Sequence, residues 1–153
     1  MAAGFTVAED RIGDFREFLS DHISRQTSGE VMGPEIGIDG ALSPEGATVE
    51  LIEALEAAGP YGSGNPRPRF VLPAVTSLNA SVVGTEHVRC FLMSAEGGPR
   101  IKAIAFRAVG TAAGDALLNS RGVALHVAGH LNIDTWQGNR HAQLVIEDVV
   151  RAA

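Results

Sequence analysis

PYGSGNPRPRF, residues 60–70, sets three prolines, two glycines, a tyrosine and two arginines between two kinds of sequence. Proline fixes φ and removes a donor, glycine supplies φ > 0, and the residue before each proline is pushed out of the helical region. Such a run is neither a helix nor a central strand. It is a stiff connection, in which Asn65 caps the preceding turn and Arg67 and Arg69 are placed to reach an anion.

Upstream, apolar residues recur every three or four positions. Ile12, Phe15, Leu19 and Ile23 mark one helix, with Glu9 and Asp10 in the first turn, where the dipole favours acids, and Gly29 at the end. Ser43-Pro44-Glu45 supplies a hydroxyl cap, a proline and an acid for a second helix. In that helix Val49, Ile52 and Leu55 face in and Glu50, Glu53 and Glu56 face out, and Gly59-Pro60 stops it. The glutamates have no His or Asp companion and read as a solvated face, not a metal site. Ala2–Val7 and Glu35–Leu42 read as short strands. A strand directly at the initiator Met suggests a piece of a longer protein.

Downstream, the period becomes two. Phe70–Gly84 is a long strand, bent near Pro73 and Asn79. In His87–Ser94, Val88, Cys90 and Leu92 alternate with Arg89, Phe91 and Met93. Glu96-Gly97-Gly98-Pro99 turns the chain into a strand over Ile101–Val109. A helix over Thr111–Ser120 closes at Gly122. Strands over Val123–Trp136 and His141–Val149 flank the turn Gln137–Arg140. Three strands, one helix and two strands is the order of an OB-fold, a five-stranded Greek-key barrel that presents one face and two loops to oligonucleotides or proteins.

Charge divides at the same connection. Residues 1–59 hold twelve acids and three bases, net −9, and residues 60–153 hold six acids and nine bases, net +3. No apolar run approaches the roughly 20 residues of a membrane helix, and no signal peptide opens the chain. The single Cys90 reads as a small buried hydrophobe and fits a reducing cytoplasm. His126 and His130, on one strand, lie about 13 Å apart, too far to share a metal.

Binding a single strand needs cations for phosphates and aromatic faces for bases. The candidate cations are Arg67, Arg69, Arg89, Arg100, Lys102, Arg107 and Arg140. Trp136, beside a polar turn, and Tyr61 are candidate platforms, whereas Phe91 and Phe106 are expected to fill the barrel. The set favoured for nucleic-acid contact is Arg67, Arg69, Arg89, Lys102, Arg107, Trp136 and Arg140.

Two stretches resemble the C-terminal part of RecJ, the single-strand-specific exonuclease family of bacteria. MAAGFTV with its helix resembles the end of the DHH-associated domain, and LEAAGPYGSGNPRPRF resembles the signature that opens the RecJ OB region. WQGNRHAQLVIED resembles the last barrel hairpin. The resemblance implies an α+β chain, mainly a five-stranded OB-fold barrel, with an N-terminal strand-helix remnant and a helical connector. Residues 1–28 are the domain remnant, 29–66 the connector and 67–153 the barrel. It implies a role in DNA repair and recombination, as the nucleic-acid-binding part of a cytoplasmic 5′-to-3′ exonuclease. The parent would use manganese or magnesium. This chain has no Asp-His-His motif and is expected to hold no cofactor and to be inert alone. Single-stranded DNA, the DHH catalytic domain and single-strand-binding protein are the implied partners. The alternative is a docking module that closes the DNA channel or binds a protein, without DNA affinity.

Overall fold

The structure is a computed structural model and describes residues 4, 6–26, 35–135 and 138–152. It divides into two compact units, Met1–Ile36 and Gly37–Ala153.

In the first unit a 3-10 turn over Glu9–Arg11 runs into α1, Ile12–Gln26. The helix buries no residue, and Ile12, Leu19 and Ile23 stay exposed. Arg11–Asp14 and Arg25–Asp21 ion pairs line its polar side. The expected strand is absent at Gly4, Thr6 and Val7, and the rest of it lies outside the described residues, as does Gly29. No described residue of this unit forms a strand to pair with, and a lone strand leaves its backbone groups unbonded.

The second unit is a closed barrel. Its strands are β1 (Gly40–Ala41), β2 (Phe70–Val83), β3 (His87–Ser94), β4 (Arg100–Ala105), β5 (Leu125–Asp134) and β6 (His141–Arg151). Sheet order is β1-β2-β3-β4-β6-β5, and β5 pairs back onto β2. β4 pairs parallel with β6, and β1 parallel with β2; the other pairings are antiparallel. The five-stranded barrel and its OB topology are as the alternation predicts, and β1 adds a short sixth strand where a longer one was expected.

Closure depends on β2 serving two partners. Its first half pairs with β5, from Phe70↔Gly129 to Val75↔Leu125, and its second half with β3, from Val75↔Ser94 to Val83↔His87. Both ladders slip at the predicted bends, between Leu72 and Val75 and between Leu78 and Ser81. Pro73 cannot donate to the ladder. Ala74 and Asn79 take φ of 50° and 51°, the left-handed region that suits Asn and strains Ala. The Ala74 N–H donates to His126 Nδ1 at 3.2 Å, so the kink leaves that donor satisfied.

Inward residues fill the barrel: Leu72, Val75, Val88, Cys90, Leu92, Ile101, Leu125, Val127 and Leu144 are all at most 3% exposed. Two helices add Ile52 from α2 (Val49–Ala57) and Leu117 from α3 (Ala112–Leu118). The Ser43-Pro44-Glu45 start is corrected. Ser43 Oγ accepts from Gly46 N in a single turn, and α2 begins at Val49, capped by Thr48 Oγ1 accepting from Leu51 N at 3.2 Å. Gly46 is a poor helix former, and Thr48 offers a second cap nearer the apolar stripe.

The expectation that Phe106 fills the barrel is also corrected: it is 53% exposed, edge-on to His87 at 5.2 Å. β4 ends at Ala105, short of the Val109 expected, and Phe106 and Arg107 lie in the following turn, where Arg107 has φ of 51°. Phe91 is half-buried on the outward face, because it shares parity with Arg89 and Met93 while Val88, Cys90 and Leu92 hold the interior. Ala103 and Ala105 take the inward places on β4.

Candidate nucleic-acid interface

Parity along β3 and β4 builds the site. Phe91 pairs with Lys102, Arg89 with Ile104 and Met93 with Arg100, so residues of one outward face stand side by side. Above them lies a groove of about 550 Å³. Phe91, Ile101 and Ala142 give it apolar surface, and Arg89, Arg100 and Lys102 give it positive charge. The turn holding Pro44 and Ala47 and the β5–β6 connection, through Asp134, Asn139 and His141, form its walls. A strand face edged by the connection between the last two barrel strands is where OB-folds receive oligonucleotides.

The cations are not equivalent. Arg100 lies over the Phe91 ring, its guanidinium carbon 4.6 Å from the centroid. Lys102 Nζ donates to Asp134 Oδ2 in a part-buried ion pair. Arg140, in the β5–β6 connection, meets Glu53 of α2 at 2.7 Å. Among the described residues, Arg89 and Arg100 have no carboxylate partner.

Arg67 and Arg69 lie apart from this groove, around a cavity of about 290 Å³ that they share with His130 and Asp39. Arg69 donates to Glu147 and to the Gly37 carbonyl, and its backbone N–H to Asp39 Oδ2 at 2.8 Å. Glu147 also meets His130 Nε2 at 2.9 Å, and His130 Nδ1 donates to the Pro68 carbonyl at 2.8 Å. Arg67 stands over Tyr61 at 5.4 Å, and Tyr61 donates to the Leu55 carbonyl. Asn65 Nδ2 donates to the Pro60 carbonyl at 3.1 Å, the turn-capping role expected of it. Arg107 lines a third cavity, of about 270 Å³, beside Phe106 and α3. Trp136 lies outside the described residues.

Of the residues expected to contact nucleic acid, the structure therefore gathers Arg89 and Lys102 in one groove, with Arg140 beside its wall. Phe91, Arg100, Asn139 and His141 join them. The signal for Phe91 and Arg100 is present in the period of two. No such signal exists for Asn139 and His141, because their place depends on how the barrel closes.

The compact unit from Gly37 holds eleven acids and nine bases, net −2, since the acidic α2 belongs with the barrel. Among the described residues, no group of three or more His, Cys, Asp or Glu is placed to hold a metal ion, and no helix is long and apolar enough to cross a membrane. His126 and His130, both on β5, hydrogen-bond separately. Burial pushes the Cys90 thiol up to about 11, against a smaller downward pull from the Ser77 hydroxyl.

The family described as RecJ OB domain matches residues 38–148. The single-stranded-DNA-specific exonuclease RecJ of Escherichia coli K12 is 31% identical over 150 residues, which are 97% of this chain and 25% of that protein. The corresponding protein of Bacillus subtilis 168 is 22% identical over 148 residues, 97% of this chain and 18% of that one. The crystal structure of RecJ in complex with Mn2+ from Thermus thermophilus superposes with a TM-score of 0.64 at 22% identity, covering 98% of this chain and 20% of that one. The chain thus spans about a quarter or less of the length of the relatives it matches. The metal of that Thermus protein has no ligand set among the described residues here.

Proposed function

Because the chain belongs to the RecJ OB domain family, we propose that its β3–β4 groove holds single-stranded DNA for a bacterial, metal-dependent 5′-to-3′ exonuclease of repair and recombination. In this reading the manganese or magnesium and the hydrolysis belong to a DHH catalytic domain, and this chain grips the strand. Residues 1–28 are the end of a DHH-associated domain, and the barrel follows the Pro60–Phe70 connection.

One observation carries the proposal: an aromatic ring, Phe91, lies in a groove with Arg89, Arg100 and Lys102, on the face where OB-folds bind oligonucleotides. Base stacking on such a ring contributes about 1–3 kcal/mol, and the cations track phosphates. Arg89 and Arg100 are ready to do so, while Lys102 and Arg140 must leave their carboxylates first.

A second reading is favoured by the net charge of −2 and by those two ion pairs: the barrel docks a protein, such as single-strand-binding protein, or closes the channel, without DNA affinity. A salt titration with a labelled oligothymidine separates the two. DNA binding weakens log-linearly, with a slope of about −0.7 per phosphate contacted. Absence of binding even at low salt would overturn the first reading.

A further inference from the structure

Glu50, Glu53 and Glu56 are spaced three apart along α2, so they share one face of the helix. The Glu53 carboxylate reaches the Arg140 guanidinium at 2.7 Å, and both side chains are about half exposed, at 50% and 52%. Arg140 sits between Asn139 and His141, which wall the groove. An acid of the connector helix therefore holds the guanidinium of a residue flanked in sequence by two that line the groove. A carboxylate, like a phosphate, offers the planar guanidinium two oxygens that can accept a bidentate pair of hydrogen bonds. Asp134 plays the corresponding part for Lys102 from the end of β5.

We propose that Glu53 is an in-cis competitor of DNA, standing where a backbone phosphate binds and setting the affinity of the groove from outside it. The inference rests on the groove being a single-strand site. A phosphate reaching Arg140 displaces Glu53, and the freed carboxylate gathers a counterion of its own. That uptake cancels the counterion which the phosphate released, so the Arg140 contact adds little to the salt dependence. An exposed ion pair is weak, so the displacement is easy and readily reversed. A protein that follows a strand during its degradation needs this quality: cations that engage successive phosphates without trapping one.

The full chain is titrated with fluorescent oligothymidine by anisotropy at several salt concentrations. Glu53→Gln is expected to tighten binding about two- to five-fold at low salt and to steepen the salt slope by about 0.7. In an Arg140→Gln background the same substitution is expected to change neither. Glu56→Gln, one turn away on the same face, serves as the control for charge alone. An equal gain from Glu56→Gln, or an undiminished gain without Arg140, would show a long-range field and overturn the competitor while leaving the groove reading intact. If Arg89→Gln with Arg100→Gln leaves the affinity of the parent chain unchanged, the groove is not the site and both readings fall. Unfolding transitions of all variants confirm that the fold is kept, since each of these side chains is at the surface.

Discussion

Arg100 lies over the face of Phe91, 4.6 Å from the ring centroid, across the β3–β4 ladder. The guanidinium covers one aromatic face. A nucleobase can stack on either plane, because both are flat and polarizable. Phe91→Ala is expected to weaken oligothymidine binding about ten-fold, within the range of a lost stacking platform. Arg100→Ala on top of it should cost less than it does alone, since the two act as one stack. Fluorescence anisotropy on the two single variants and the double variant measures this coupling.

Gly129 marks where the barrel can close. A Cβ there would lie 2.0 Å from the Val145 carbonyl oxygen, at the point where the β5–β6 register slips. The obstacle is backbone and cannot swing aside. Gly129→Ala is expected to destabilise the barrel by about 3 kcal/mol, the upper end of over-packing costs. That corresponds to a fall of roughly 10 °C in Tm for a domain of this size. Gly114→Ala meets the Ala108 carbonyl oxygen at 1.9 Å and should behave alike, because α3 there lies directly on the loop after β4. Thermal unfolding by circular dichroism reads both.

Arg69 joins three parts of the fold through Glu147, the Gly37 carbonyl and Asp39. Arg69→Ala keeps the backbone bond to Asp39 and is expected to lower stability by about 1–2 kcal/mol, below the roughly 1.5–3 kcal/mol of buried hydrogen bonds to charged groups because the Glu147 pair is about a third exposed. It should reduce DNA affinity less than Arg89→Ala does. Urea denaturation and the oligothymidine titration, run on both variants, compare the two effects.

Cys90 gives the barrel an alkaline limit. Its thiol is raised from 9.0 to about 11 chiefly by burial, so the folded state keeps its proton at a pH where the unfolded chain loses it. The unfolded state then binds fewer protons, and stability falls as pH rises from about 9 to about 11. The loss across that window is about 2–3 kcal/mol. Cys90→Ala should start from lower stability but lack this share of the pH dependence. Native Cys90 should also react with a thiol reagent at pH 8 only as fast as the barrel opens.

Much of the fold is legible because strands have a period of two. Val88, Cys90 and Leu92 can be placed inside from their spacing alone, and Pro73 and Asn79 can be read as bends from their backbone chemistry. The start of α2 is not legible, because Ser43 is the better cap in isolation and Thr48 an acceptable one, and the turn that buries Pro44 and Ala47 decides between them. Hydrophobicity alone sends Phe106 to the interior. Its actual place depends on β4 ending at Ala105, which periodicity does not fix.

The candidate site divides the same way. Residues 60–70, by proline and glycine stereochemistry, determined where the connection ends and the first long barrel strand begins. Alternation determined that Arg89 and Phe91 share a face. Only the tertiary structure brought Arg100 over Phe91, the β5–β6 connection against the groove, and Glu53 onto Arg140. Those contacts join residues far apart in the chain, whose meeting is set by barrel closure and helix docking rather than by any local preference.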